Sequence, residues 1–309
     1  MNYVIGIDGG GTKTALKLSD ESGNLILSME GGSCNINSMG KESVAKMLKG
    51  LVADTLIKAE LTMEQIKVLC IGTAGVDRPS DKAIMEEIIR GTGFMGKAII
   101  TNDAVTALYG GVGGSEGVIL ISGTGSICYG SNSEGETKRA GGWGHLIGDE
   151  GSGYYIGINA INKIAKGHDC VEEKTVMTDL ILEHLKLENA SGLIEFVYRS
   201  GAGKSEIASL ARLVDEAYKQ GDSMAEEILL RAAFELFLIS KAVIDNLKLN
   251  NKKAILAVNG SVIEKNECIS SEFKRLMNRN YPLVEIAGMK NDAAYGAVLM
   301  ALNQLTMNN

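Results

Sequence analysis

Short apolar runs alternate with amphipathic stretches along the whole chain. The run Val4-Ile5-Gly6-Ile7 leads into Asp8. Residues 4–8, 15–19 and 25–27 predict an antiparallel meander with turns at 9–12 and 20–24. Residues 41–58 set Val44, Met47, Leu48, Leu51 and Val52 at helical spacing. Thr62-Met63-Glu64-Gln65 fits a capping box that opens a short helix. Residues 68–71 predict a buried strand ending in Gly72-Thr73-Ala74-Gly75. A helix over 80–90 follows, then a strand over 98–100 that runs into Thr101-Asn102-Asp103.

A second block repeats the first in outline. Val118-Ile119-Leu120-Ile121-Ser122 predicts a buried strand, Gly123-Thr124-Gly125-Ser126 a small-residue turn, 127–130 a returning strand and 131–135 another turn. Beyond it, helical spacing covers 154–166, 172–187, 204–219 and 222–249. The last stretch is expected to open on the box Ser223-Met224-Ala225-Glu226. Strands are expected at 254–258 and 283–286, with a closing helix over 292–305. Two α/β halves follow, 1–115 and 116–309, the second with a helical insertion. Their boundary is expected near 110–117, where five of eight residues are glycine, and the closing segment 291–309 is expected to pack back on the first half.

The repeated strand-and-turn pattern draws attention to Asp8 and the Gly9-Gly10-Gly11-Thr12-Lys13-Thr14 that follows it. Glycines let backbone N–H groups approach a bulky anion, and Thr12, Lys13 and Thr14 could add donors. A carboxylate beside a phosphate makes sense when a divalent cation lies between them, with Mg²⁺ held by Asp8 and phosphate oxygens. From this segment alone, a plain glycine-rich hairpin with Asp8 as an ordinary strand end reads equally well.

Composition narrows the classes. The chain has 309 residues with a formal net charge of −7, which argues against sequence-independent nucleic-acid binding. It contains no run of eighteen apolar residues for a membrane span, and no signal-peptide layout, so a cytoplasmic location is expected. Cys34, Cys70, Cys128, Cys170 and Cys268 are scattered and unpaired in sequence, so buried reduced thiols are expected rather than disulfides or a zinc ribbon. Gly203-Lys204-Ser205 has Tyr198 where a P-loop needs glycine and reads as a helix N-terminus. Gly111-x-Gly113 meets Glu116, and Gly123-x-Gly125 meets Cys128, so no dinucleotide fingerprint is complete.

Two further places could carry chemistry. Asp103 follows an apolar strand and could accept a proton from a substrate hydroxyl, or could simply cap the helix that starts there. Gly141-Gly142-Trp143-Gly144-His145 and Gly148-Asp149-Glu150-Gly151-Ser152-Gly153 set the only tryptophan and an acidic pair among glycines. Such a loop fits a polyhydroxylated sugar. It could also be a surface loop with a packing tryptophan.

Taken together, these motifs resemble those of the BadF/BadG/BcrA/BcrD ATPase family, within the actin-like superfamily that also holds acetate kinase and hexokinase. Asp8–Thr14, Asn102-Asp103-Ala104, residues 121–126, Val258-Asn259-Gly260-Ser261-Val262 and residues 291–302 are similar to five superfamily motifs in order. The tryptophan and acidic loops look like those of N-acetylglucosamine kinases. The resemblance implies duplicated actin-like (ribonuclease H-like) domains with a cleft between them, and ATP-dependent phosphorylation of the 6-hydroxyl of an N-acetylated amino sugar. It implies that Asp103 is the general base and that Asp8 holds Mg²⁺. It implies nucleotide contacts from Asp8, Gly10, Gly11, Thr12, Lys13, Thr14, Thr124, Gly125, Ala208, Gly260 and Ser261, and sugar contacts from Asn35, Asp103, Ser126, Gly142, Trp143, Gly144 and Asp149. Ile127 stands where related chains commonly carry an asparagine that touches the sugar, which implies a wider or more apolar pocket side. The Cys34-Asn35-Ile36-Asn37 loop looks like that of clostridial kinases acting on both N-acetylmuramic acid and N-acetylglucosamine. The expected partners are ATP and a small amino sugar, with no nucleic acid or membrane, and a homodimer stays open. Other members of the family are iron–sulfur ATPase activators of 2-hydroxyacyl-CoA dehydratases, and others in the superfamily are non-catalytic sugar sensors. The unpaired cysteines argue against the activator.

Overall fold

A computed structural model of the chain describes residues 1–73, 76, 78–198 and 202–307. Ala74 and Gly75, part of the turn expected after 68–71, lie outside the described residues. The chain divides into two compact units. The first comprises Met1–Ile119, Ser131–Gly135 and the segment from Gly288 onward, and the second comprises Leu120–Gly130 and Glu136–Ala287.

The first unit is built on strands β1 (Tyr3–Gly9), β2 (Thr14–Asp20), β3 (Leu25–Gly31), β4 (Ile66–Thr73) and β5 (Lys97–Thr101). Its helices are α1 (Ile36–Met39), α2 (Lys41–Lys58), α3 (Pro79–Gly91) and α4 (Asp103–Val112). The sheet order is β3-β2-β1-β4-β5. The hairpin partners are antiparallel, while β4 runs parallel to β1 and to β5. The two central strands are covered on both faces and therefore read as continuous apolar runs. Ile5, Ile7, Leu16 and Leu18 pack with Val44 and Leu48 of α2 and Met85 and Ile89 of α3.

The rest of the chain forms β6 (Gly117–Ser122), β7 (Ser126–Ser131), β8 (Thr137–Gly141), α5 (Gly153–His168), α6 (Met177–Leu185) and α7 (Gly192–Tyr198), with the first half of β6 and the end of β7 counted in the first unit and the others in the second. It continues with α8 (Lys204–Ser209), α9 (Ala211–Lys219), α10 (Ser223–Asn246), β9 (Ala254–Asn259), α11 (Ser261–Lys265), α12 (Glu267–Asn280) and β10 (Val284–Gly288). Helix α13 (Ala293–Met307) closes the chain and belongs to the first unit. The opposite face of the first sheet, Val4, Val68 and Cys70, packs on Ala297, Val298 and Ala301 of α13. The alternation of Val4 and Ile5 between two cores is the period of two in a strand.

The second sheet has the order β10-β9-β6-β7-β8. Read as first to fifth strand of its unit, each sheet runs third-second-first-fourth-fifth. The repeat seen in the sequence is thus a repeat of topology.

Several local expectations change. The segment 204–219 is two helices that meet at Leu210, and α6 begins only at Met177. Helix α10 is capped by Asp222, whose Oδ1 accepts from the Ala225 N–H at 2.8 Å, and Ser223 is its first helical residue rather than its cap. Strand β8 and helices α7 and α11 carry no clear sequence period, and the sequence reading passed over α12 although its Ile269, Phe273 and Met277 recur at helical spacing. The glycines at 110 and 111 lie in the last turn of α4, which ends at left-handed Gly113. Four cysteines are buried as expected, while Cys170 is exposed. Among the described residues no helix is long and apolar enough to cross a membrane.

Candidate functional site

In the first unit, Asp8, Gly72 and Thr101 are register partners on three parallel strands. Their carboxyl ends are where ligands of open α/β sheets bind. Asn102 and Asp103 follow directly. Asn102 caps α4, with its Oδ1 accepting from the Ala104 N–H at 2.9 Å, so Asp103 is the first helical residue and not the cap. The Asp103 Oδ1 accepts from the same N–H at 2.9 Å. Helix α4 can lie close to β4 because position 72 has no side chain; a Cβ there would strike Thr106.

Asp8 and Asp103 are both half-buried. Burial, then the charges of Asp103 and Asp292, push the Asp8 carboxyl up to about 6, with Lys13 opposing. Asp292 was given no role from sequence. It comes to this cluster because α13 packs backbone to backbone on its neighbours. A Cβ on Gly6 would strike α13, and one on Gly296 would strike the Thr106 carbonyl of α4. Asp292 pairs with Lys17 at 2.7 Å and accepts from the Tyr295 N–H at 2.9 Å. The small residues of the closing helix were the available signal.

The turn between β1 and β2 separates its three glycines. A Cβ on Gly9 would meet Cys34 and Thr73, and one on Gly10 would meet the Lys13 carbonyl at 2.9 Å; only Gly11 faces open space. Two of the three glycines are thus required by the protein's own packing. Thr12 and Lys13 are exposed, and Lys13 pairs loosely with Glu30 at 3.3 Å. Thr14 is fully buried and its hydroxyl donates to the Gly32 carbonyl at 2.7 Å, so it does not offer the donor expected of it. The Cys34 N–H donates to the Gly10 carbonyl at 3.1 Å, which ties Asn35 to the turn. Burial pushes the Cys34 thiol up to about 11.

In the second unit, the Gly123-Thr124-Gly125 turn is laced to the acidic loop. The Gly153 N–H donates to the Gly123 carbonyl at 2.8 Å. Ser122 and Ser126 hydroxyls donate to the carbonyls of Gly151 and Glu150 at 2.8 and 2.7 Å. The Ser126 hydroxyl therefore works inside the protein. Asp149 has φ +64°, is 2% exposed, and accepts weakly from the Ser126 N–H at 3.3 Å. Left-handed backbone is rare outside glycine but tolerated by Asp. Trp143 is 64% exposed, with the Arg139 guanidinium 4.9 Å from its ring centre. A Cβ on Gly142, at φ +70°, would meet Ile127, which therefore underlies this loop, whereas Gly144 faces open space.

A cavity of 440 Å³ is lined by Gly123, Thr124, Ala208 and Ser261, among others. Its size falls within the range of small-molecule sites, about 300–1,000 Å³. Gly260, beside Ser261, has φ +109°, and any Cβ would strike the Ser122 carbonyl. Three expected nucleotide contacts far apart in sequence, Thr124, Ala208 and Ser261, share this wall. Sequence reading missed Lys204, whose Nζ stands 2.7 Å from the Asp149 Oδ2. Its segment was read only as a helix start, which it is.

The chain is 50% identical over 304 residues to an N-acetylmuramic acid/N-acetylglucosamine kinase of Clostridium acetobutylicum, covering 98% of this chain and 99% of that one. It is 35% identical to an N-acetyl-D-glucosamine kinase of Dictyostelium discoideum, covering 97% of each. A crystal structure from Chromobacterium violaceum, provisionally named an N-acetylglucosamine kinase, shares the fold with a TM-score of 0.78 at 24% identity, covering 98% of this chain and 99% of that one. The model of one family matches residues 5–301, nearly the whole of both units, and this chain belongs to it: the BadF/BadG/BcrA/BcrD ATPase family.

Proposed function

We propose that the protein is an ATP-dependent kinase that phosphorylates the 6-hydroxyl of N-acetylated amino sugars, with N-acetylglucosamine and N-acetylmuramic acid as candidate substrates. The carrying observation is the pair of half-buried carboxylates, Asp8 and Asp103, at the ends of parallel strands beside a turn whose Gly11 faces open space. The whole-length identity to the two sugar kinases supports the same reading.

Phosphoryl transfer depends mainly on positioning and charge stabilisation. Asp103 orients the sugar hydroxyl and takes its proton as the oxygen attacks the γ-phosphorus; the bond from that phosphorus to the β–γ bridging oxygen breaks, and ADP leaves. Asn35, Trp143 with the flanking Gly142 and Gly144, and Asp149 hold the sugar. The backbone around Gly10–Thr12 and Gly123–Gly125 binds phosphates, and Thr124, Ala208, Gly260 and Ser261 enclose the adenosine.

The donor set fits Mg²⁺. Asp8 carries a charge disfavoured by burial and by two neighbouring carboxylates, which a divalent cation would relieve. Mg²⁺ keeps much of its water and takes one or two carboxylates plus phosphate oxygens, a coordination that Asp8 and the nucleotide could complete. When bound, the ion would neutralise charge on the phosphates. A need for ATP supports the expected cytoplasmic location.

The test is ADP release with glucose, N-acetylglucosamine, N-acetylmannosamine and N-acetylmuramic acid offered in turn. Turnover with an N-acetylated sugar well above that with glucose is expected. Equal rates with all four and with none would overturn the proposal.

A further inference from the structure

The phosphate turn of the second unit consists of uncharged residues, yet a cation covers it. A Cβ placed on Gly125 would lie 2.6 Å from the Lys204 Nζ and 3.0 Å from the Asp149 Oδ2. The ammonium therefore sits directly over the turn, in the space a side chain would take. Lys204 opens α8, and the next residue, Ser205, joins Thr124 in the cavity wall.

The partner of Lys204 is unusual. The Asp149 side chain is 3% exposed, and its Oδ2 has no hydrogen bond of acceptable angle despite an Nζ at 2.7 Å. The attraction is between charges, without an aligned N–H. An ammonium has three donors, and this contact uses one at most. About a third of the Lys204 side chain remains open to solvent. A structural counter-ion for a buried carboxylate is better served by aligned, charge-assisted bonds. The arrangement suits a cation held in place yet able to turn to another anion.

We propose that Lys204 is a further catalytic residue, whose ammonium contacts the γ-phosphoryl group of ATP bound over the Gly123–Gly125 turn, with Asp149 holding it there beforehand. This inference rests on the kinase reading above. In the transition state the charge is spread over the equatorial oxygens of the transferring group and the departing bridging oxygen, and a fixed donor aimed there is worth about 10²–10³ in rate.

Binding of ADP and of the non-hydrolysable imido analogue of ATP, each with magnesium, is measured by calorimetry on wild type and Lys204→Met. The variant is expected to bind the imido analogue at least about tenfold more weakly and ADP within about twofold of wild type. Lys204→Gln, which keeps the stem, carries the same expectation should the Met variant fail to fold. Equal effects on both nucleotides would overturn the proposal. So would recovery of wild-type affinity for the analogue in Lys204→Met combined with Asp149→Asn, which would make Lys204 only a counter-ion. The readout uses no sugar, so it stands even if N-acetylated sugars prove not to be substrates. Where they are, kcat of Lys204→Met should fall about 10²-fold or more while the sugar KM changes little.

Discussion

The two units share a strand order but differ in what gathers at the first hairpin. In the first, the turn after β1 meets Asp8, Asp103 and Asp292, and burial followed by charge repulsion raises Asp8 to about 6. In the second, the turn after β6 meets one buried acid already facing a lysine, and a cavity opens beside it. Topology fixes where a ligand can sit, at the strand ends. Which side chains arrive there decides what each site does. The acid-rich end suits proton transfer and a cation, and the turn backed by a cavity suits a nucleotide.

Asp103→Asn tests the first half of that contrast and carries the largest expected effect. A general base typically contributes about 10²–10⁴-fold, so sugar-dependent ADP release should fall by that factor while ATP still binds. Unchanged turnover would remove Asp103 from its role. Gly260→Val tests whether the second unit is built as tightly as its cavity implies. Left-handed strain and a clash with the Ser122 carbonyl should cost about 3–5 kcal/mol, read as a melting temperature about 10 °C lower. A shift under 2 °C would mean that the turn yields freely. Asp149→Ala should raise the sugar KM about tenfold or more and, by releasing Lys204, lower kcat as well; an unchanged KM would dismiss the sugar role of the acidic loop.

The pH dependence of Asp8 sharpens the contrast further. Its folded value of about 6 lies above the ordinary 3.8. Below 3.8 the group is neutral folded or unfolded. Between the two values the unfolded chain gives up the proton and the folded chain keeps it, so stability falls as pH rises and stays lower above 6. Asp8→Asn should therefore stabilise the ligand-free protein by about 1–2 kcal/mol above pH 6, after discounting for solvent screening, and by nothing near pH 3.5. A difference in melting temperature that does not change with pH would contradict the raised value.

Much of the fold was legible because buried parallel strands and one-sided helices have strong periods. Helix α2 was read to its last residue, and the meander 4–27 to within a few. Strand β8 was missed because its Thr137-Lys138-Arg139 stretch is exposed at a sheet edge and carries no apolar alternation. Helix α12 was legible in principle, since its buried Ile269, Phe273 and Met277 recur at helical spacing, but the many polar residues between them made the stretch read as a connection. Asp8, Asp103 and the acidic loop were legible as carboxylates at strand ends or among glycines. Asp292 and Lys204 were not, because each reaches its partners through tertiary packing: Asp292 through Gly6, Gly110 and Gly296, and Lys204 through the empty side-chain position at Gly125. The same packing explains Thr14, whose hydroxyl looked available in sequence and is spent on Gly32.

The central claim is transfer of a phosphoryl group from ATP to a sugar 6-hydroxyl. Phosphorus–proton NMR of the product formed from ATP and N-acetylglucosamine tests it most directly. A phosphorus resonance coupled to the two C6 protons is the predicted result; inorganic phosphate alone, or coupling to the anomeric proton, would contradict it.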